Sequence, residues 1–120
     1  MKKLGILFLA LCFTVTLSAQ EKKGKNAKVA IEADGVCMMC KKRIESAALK
    51  TKGVKFASWN VKTHKLSLIL DERKTSLENV QQNIAAVGHD TKLIKAKDEV
   101  YNSIHACCKY RDQEVEGEPQ

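Results

Sequence analysis

The sequence predicts a small α+β domain of the order β-α-β-β-α-β, with two helices on one face of a four-stranded antiparallel sheet. Apolar residues alternate with polar ones in short runs, which is the pattern of half-buried strands. In two longer segments they recur every three or four residues, which is the pattern of amphipathic helices. Taken in order, these segments form a split βαβ repeat of about seventy residues. A short helical extension is predicted to follow it.

The first residues have the composition of an export signal. Two lysines are followed by an almost entirely apolar run over residues 4–17 and then by small residues up to Ala19. The apolar run is too short to span a bilayer. We therefore expect a signal peptide at residues 1–19, which takes Cys12 with it, and a flexible linker at residues 20–26. The mature protein is expected to be periplasmic or secreted, without a membrane anchor.

The charge of the chain limits the classes of partner that we expect it to bind. Lysine and arginine number 21 against 14 acidic residues, a formal net charge of +7, and the signal removes two of the lysines. The basic residues are scattered among acids and no aromatic residues are interleaved with them, so nucleic acid is not an expected partner. The cluster at residues 41–43 is either the solvated face of a helix or a positive rim that attracts an acidic partner.

The first strand and the first helix are predicted on either side of Asp34-Gly35. Ahead of this pair, every second residue from Val29 to Ala33 is apolar, as in a strand. After it, apolar residues recur at helical spacing until Gly53, a residue typical of the position just past a helix C-terminus. The apolar face of this helix consists of Cys40, Ile44, Ala47 and Ala48.

The second half of the domain is predicted to contain two strands, a helix and a further strand. Apolar residues of period two indicate strands over residues 54–61 and 66–70. A capping box at residues 75–78 begins the second helix, which ends before Gly88. Residues 91–96 supply the predicted fourth strand.

Cys37 and Cys40 lie where the first strand gives way to the first helix. The unpaired N–H groups and the positive dipole of a helix start favour thiolates, and both sulfur atoms can converge on one soft cation. A C-x-x-C pair alone also serves thiol–disulfide exchange, half of a zinc site or a structural disulfide. A disulfide between Cys37 and Cys40 would close a very short loop and remove little conformational entropy from the unfolded chain, so it would stabilise the fold only weakly.

Three short motifs stand out between Lys28 and Ile94: Gly35-Val36-Cys37-Met38-Met39-Cys40, Gly53-Val54 and Gly88. With these motifs the region resembles the heavy-metal-associated domain family, which includes copper chaperones, N-terminal modules of metal-transporting ATPases and periplasmic mercury-binding proteins. Members of the family usually have two residues between the glycine and the first cysteine, one of them a buried methionine, whereas this chain has only Val36 there. The resemblance implies a ferredoxin-like fold at residues 27–96 and metal binding by Cys37 and Cys40.

Cu(I) is the ion that we expect at this pair. Thiolates are soft ligands, and a two-sulfur site suits a soft ion of low coordination number, whereas zinc prefers four ligands. Hg(II) and Zn(II) stay open as alternatives. The expected role is a chaperone or buffer that passes the ion by ligand exchange to or from a metal-transporting ATPase or another metal-binding domain.

The competing class is an enzyme, a thiol–disulfide oxidoreductase built on the same C-x-x-C pair. Thioredoxin-like folds place a cis-proline beside their redox cysteines, but the one proline of this chain is Pro119, in the acidic tail. We therefore expect a protein that binds metal and is not an enzyme. Met38 and Met39 are either an apolar surface that repacks against a partner or thioether ligands.

Four further histidine and cysteine positions are candidate ligands. The resemblance implies that the loop after the second helix lies beside the loop that leads into Cys37, which we call the metal loop. His89 is therefore either a third ligand or a residue that shields the site. Residues 97–110 are predicted to form a helix that carries His105, Cys107 and Cys108, ahead of a disordered acidic tail at residues 111–120.

His105 and Cys108 are three residues apart, so on a helix they share one face and can bind one ion as a second site. The other interpretations are a lid over the first site and simple apolar packing of Cys107 or Cys108. The four mature cysteines allow three disulfide pairings, among which the sequence does not choose.

Overall fold

The elements follow the predicted order as far as the second helix. A computed structural model describes residues 23–112 of the chain, so the predicted signal peptide and most of the predicted tail lie outside the described residues. Over that span, no helix is long and apolar enough to cross a membrane. The elements are β1 (Ala27–Glu32), α1 (Met38–Lys50), β2 (Val54–Trp59), β3 (Lys65–Leu70), α2 (Leu77–Ala86), α3 (Asp98–Ser103) and a 3₁₀ turn (Ala106–Cys108).

Strand β3 is the centre of the sheet. Both β1 and β2 pair with it in antiparallel orientation, which gives the order β1-β3-β2. Its side chains alternate as predicted, since every second residue is buried under the helices while Lys65 and Ser67 face solvent. Helix α1 packs on β2 and on α2. The largest buried side chains of this core are Trp59, Ile44, Leu66, Leu68, Leu70, Ile84 and Val80.

The ends of the two long helices show which local signals were correct. Gly53 and Gly88 have φ values of +99° and +105°, a conformation that a side chain would strain, just beyond the ends of α1 and α2. The N-cap of α2 is one residue later than the capping box predicts. Ser76, not Thr75, accepts a hydrogen bond from the Asn79 N–H at 3.2 Å.

The predicted four-stranded sheet has three strands in the described part of the chain. Residues 91–96 contribute one isolated bridge, between Ala33 and Thr91. The Thr91 N–H donates to the Ile94 carbonyl oxygen at 2.8 Å, which turns the chain back on itself. The Ala96 N–H then donates to Asp90 Oδ1 at 2.7 Å. Local and side-chain hydrogen bonds thus satisfy backbone groups that a fourth strand would have used.

The predicted helix at residues 97–110 is also interrupted. Helix α3 ends at Ser103, and Ile104 and His105 are extended before the 3₁₀ turn. Ile104 is buried against Gly88, where a Cβ atom would lie only 2.6 Å from Ile104 Cγ2. Tertiary packing of Ile104 therefore overrides the helical periodicity of this segment.

Residues 98–112, which we call the C-terminal strap, are fixed to the domain by Tyr110 and Arg111. The Tyr110 hydroxyl donates to the Gly88 carbonyl oxygen and accepts from the Asp90 N–H, both at 2.8 Å. The Arg111 guanidinium donates to both carboxylate oxygens of Asp90, at 3.0 and 2.6 Å. It also donates to the Ala96 carbonyl oxygen at 2.8 Å. Bidentate contacts of this kind define orientation as well as distance.

Candidate metal centre

The two cysteines of the C-x-x-C pair meet at the start of α1. Cys37 is the extended residue that precedes the helix, and Cys40 lies in its first turn. Their Sγ atoms are 3.2 Å apart. Cys40 is fully buried, whereas Cys37 is half-buried. The first turn of α1 carries no acidic residue, so its positive end is left to act on the sulfur atoms.

A third sulfur atom reaches this pair from the C-terminal strap. Cys108 Sγ lies 3.2 Å from Cys37 Sγ, and Cys108 is fully buried. The Sγ atoms of Cys37, Cys40 and Cys108 all lie within 4.8 Å of one another. Cys37, Cys40, Cys107 and Cys108 are all free thiols. A compact group of three soft donors is therefore available to a thiophilic ion.

Cys107 and Met39 lie at the outer edge of this group. Cys107 is exposed, with its Sγ atom 3.9 Å from Cys37 Sγ and 3.4 Å from Met39 Sδ. The side chains of Met38 and Met39 are 64% and 45% exposed. The buried sulfur atoms are thus bordered on the solvent side by further sulfur atoms.

The two cysteines of the pair differ in acidity. Burial alone would raise the pKa of Cys37, but hydrogen bonds from the Cys108 thiol and from the N–H and thiol of Cys40 lower it to about 7. For Cys40, burial raises the pKa to about 12, and the contacts of its thiol with those of Cys37 and Cys108 act in the same direction. Cys37 is therefore the nucleophilic thiolate of the pair, and Cys40 stays protonated until a metal displaces its proton.

The loop that holds Cys37 rests on Trp59. The Trp59 indole N–H donates to the Ala33 carbonyl oxygen at 2.9 Å, and the side chain is buried. Gly35 fits between this ring and α1. A Cβ atom at Gly35 would lie 2.9 Å from Cys40 Cβ and 3.1 Å from Trp59 Cη2. Glycine is therefore required here by close packing on both sides.

His89 lies behind the metal loop with both ring nitrogens engaged. Nδ1 is 2.7 Å from the Asp34 carbonyl oxygen and Nε2 is 3.3 Å from Arg43 Nη1. The ring is fully buried and stacks on Tyr110 at 5.4 Å. Burial lowers the pKa of His89, so the ring is neutral at neutral pH. This arrangement fits a residue that braces the loop and does not fit the predicted ligand role.

His105 does not share a helix face with Cys108, because α3 ends before it. It is exposed, and its carbonyl oxygen accepts the Cys108 N–H at 2.8 Å. In residues 23–112, the group of potential metal ligands contains Cys37, Cys40 and Cys108 and no histidine. The strap thus brings Cys108 to the first site, the arrangement that the lid interpretation requires, and does not pair it with His105.

The basic cluster at residues 41–43 is largely engaged within the protein. Lys41 Nζ donates to Glu45 Oε2 at 2.7 Å and to the Trp59 carbonyl oxygen at 2.8 Å. Arg43 contacts His89, so Lys42 is the exposed member. This weakens the interpretation of the cluster as a positive rim.

The residues that orient the site were not evident from the sequence. Trp59 lies within the second predicted strand, Tyr110 at the end of the predicted C-terminal helix and Arg111 at the start of the predicted tail. A tyrosine and an arginine two and three residues after Cys108 were the available signal, since both types anchor a chain by buried hydrogen bonds.

A family model and several solved structures match this chain. The heavy-metal-associated domain family matches residues 30–90. No curated protein sequence matches the chain significantly. Among solved structures, the CopZ metallochaperone is 26% identical, with a TM-score of 0.52 over 54% of this chain and 98% of that one. The N-terminal soluble domains of Bacillus subtilis CopA are 27% identical, with a TM-score of 0.51 over 54% of this chain and 45% of that one.

Oxidized MerP from Ralstonia metallidurans CH34 shares the fold, with 22% identity and a TM-score of 0.54 over 56% of this chain and 94% of that one. The family match covers about half of the chain and includes both cysteines of the C-x-x-C pair. The chain therefore belongs to the heavy-metal-associated domain family.

Proposed function

We propose that the mature protein is an exported carrier or buffer of Cu(I) that binds the ion through Cys37 and Cys40. The observation that supports this most directly is the 3.2 Å separation of their sulfur atoms at the start of α1. The helix start favours thiolates there. Two soft sulfur ligands suit Cu(I) better than zinc, which prefers four ligands.

Ligand exchange is the mechanism that the two cysteines support. Cys37 is the more accessible and the more acidic thiol, so its thiolate is the first to bond to an incoming ion. The buried Cys40 then loses its proton to solvent and forms the second metal–sulfur bond. Release reverses these steps, and each sulfur of the acceptor replaces one sulfur of this protein. The ion never has to enter water, and no electron is transferred.

The proposed partners are proteins that offer thiolates of their own, such as a metal-transporting ATPase or another metal-binding domain. The similar CopZ is a metallochaperone, and the similar CopA from Bacillus subtilis is a P-type ATPase. Met38 and Met39 border the site with exposed, flexible apolar side chains. Such side chains can repack against different partner surfaces.

We also propose that the protein acts outside the cytoplasm, because residues 1–19 have the composition of a signal peptide. Fractionation of expressing cells tests this, together with mass spectrometry of the mature N-terminus. We expect a periplasmic or secreted protein that begins at Gln20. A cytoplasmic protein that keeps its first residues would contradict export.

Native mass spectrometry tests the choice of ion. The reduced chain from Gln20 onward is titrated separately with Cu(I), Zn(II) and Hg(II), and then with Cu(I) and Zn(II) in competition. We expect one Cu(I) per chain, retained in the presence of excess Zn(II). Preferential retention of Zn(II), or no binding of Cu(I), would reject the proposed function.

A further inference from the structure

We propose that Cys108 is a third metal ligand, so that the C-terminal strap closes the Cu(I) site on three sulfur atoms. The inference rests on the proposed function, because it concerns the same ion. The residues that match the family end at position 90, and Cys108 comes from the extension beyond them. It would therefore be a feature that this chain adds to the two-cysteine site.

The distances favour three ligands over two. With metal–sulfur bonds of about 2.3 Å, three sulfur atoms around one ion are about 4.0 Å apart, and two on opposite sides are about 4.6 Å apart. Cys37 Sγ lies 3.2 Å from the Sγ atoms of both Cys40 and Cys108. The trigonal arrangement thus needs each of these two pairs to separate by less than 1 Å, whereas the linear one needs Cys37 and Cys40 to separate by about 1.4 Å.

Cys108 is held at the site by contacts on both sides of it in the chain. Ile104, four residues before it, packs on Gly88. Tyr110, two residues after it, bonds to Gly88 and Asp90, and Arg111 pairs with Asp90. These contacts fix the backbone around Cys108 before any ion arrives, and a ligand positioned in advance costs less entropy when it binds.

Apolar packing alone is a poor explanation for Cys108. Its side chain is fully buried, yet its sulfur atom points to the thiol of Cys37 and lies within 4.8 Å of Cys40 Sγ. A cysteine that only fills space has no need of two other thiols as neighbours. Three thiols whose sulfur atoms converge are a suitable set of ligands for a soft ion.

Cys107 provides a matched control from the adjacent position. It is exposed, and its sulfur atom is farther from Cys37, at 3.9 Å. The two cysteines have the same chemistry and nearly the same place in the sequence. They differ in whether the sulfur atom faces into the site, which is the feature that the proposal depends on.

A closed site should hold its ion more firmly. Cys40 and Cys108 are both fully buried, so an acceptor first reaches the ion from the side of Cys37. Transfer then has to break three metal–sulfur bonds in place of two. We therefore expect the strap to slow the loss of Cu(I) to a competing chelator.

The test is Cu(I) X-ray absorption spectroscopy, with chelator competition, on the reduced mature chain carrying one Cu(I). The proteins are the wild type, Cys107→Ser, Cys108→Ser and Cys107→Ser/Cys108→Ser. We expect three sulfur scatterers in the wild type and in Cys107→Ser, and two in the double variant. The double variant also prevents Cys107 from taking the place of Cys108. Its affinity for Cu(I) should fall about tenfold or more, while Cys107→Ser stays near the wild type.

Two sulfur scatterers in the wild type, or three in the double variant, would overturn the proposal. Circular dichroism of each apo variant checks that it is folded, and Cys107→Ser/Cys108→Ala replaces the serine variant if the buried hydroxyl unfolds it. A two-sulfur wild type that loses its Cu(I) when Cys37 and Cys40 are replaced would leave the proposed function intact. Binding that survives that replacement would reject the proposed function itself.

Discussion

The Sγ atom of Cys108 lies 3.2 Å from the Sγ atom of Cys37, although 71 positions separate the two residues in the chain. One of them belongs to the metal loop of the domain and the other to the C-terminal strap. The site is therefore assembled by two parts of the molecule. Contacts that hold the strap, such as the ion pair of Arg111 with Asp90, are also contacts that shape the site.

The reactivity of the thiols is the first prediction. At pH 7 in the metal-free protein, we expect iodoacetamide to alkylate Cys37 before Cys107. The pKa of Cys37 is lowered to about 7. Desolvation among the neighbouring sulfur atoms, and the contacts with the thiols of Cys108 and Cys37, raise the pKa of Cys107 to about 11. The thiolate is the reactive form, and peptide mapping by mass spectrometry gives the order of modification.

The comparison is informative because Cys107 is the more exposed of the two. If accessibility alone governed the reaction, Cys107 would be modified first. The rate at Cys37 should reach half of its maximum near pH 7. Faster modification of Cys107 at this pH would show that the hydrogen bonds to Cys37 do not stabilise its thiolate.

Gly35 gives the second prediction. Gly35→Ala should lower the free energy of unfolding by about 1–3 kcal/mol, because the new methyl group overpacks the space between Cys40 and Trp59. Urea denaturation measures the change. Gly24→Ala is the control, since the nearest atoms to its Cβ would be at 3.8 Å, an ordinary contact. Equal stabilities for the two variants would contradict the packing described for the metal loop.

The third prediction concerns the pH dependence of stability. Burial lowers the pKa of His89, so below about pH 6.5 the unfolded chain binds a proton that the native protein does not. The free energy of unfolding should therefore fall as the pH decreases from about 7 to about 5. Urea denaturation at a series of pH values measures this slope.

His89→Gln should flatten that slope, and His105→Gln, which removes an exposed histidine, serves as the control. Asp90 does not interfere in this pH range. Burial alone would raise its pKa, but the hydrogen bonds from Arg111 outweigh that and hold the pKa below its usual value. An unchanged slope in His89→Gln would mean that the buried ring is not the group responsible.

Elements that depend on interactions within a few residues were predictable from the sequence, whereas those that depend on distant contacts were not. Local patterns predicted the first five elements, because side-chain periodicity and glycines such as Gly53 act within a few residues. The fourth strand failed because Thr91 and Asp90 bind backbone groups that a strand would have paired. The path of the strap was not predictable from periodicity, because it depends on Tyr110 and Arg111 meeting residues about twenty positions earlier.

The most direct test of the account is the Cu(I) affinity of Cys37→Ser/Cys40→Ser, measured on the reduced mature protein by competition with a colorimetric Cu(I) chelator. Cys107→Ser serves as the control for loss of a thiol. Removing two soft ligands leaves Cys108 without its partners, so we expect the double variant to lose its Cu(I) to the chelator while the control retains it. Wild-type affinity in the double variant would contradict the assignment of Cys37 and Cys40 as the metal site.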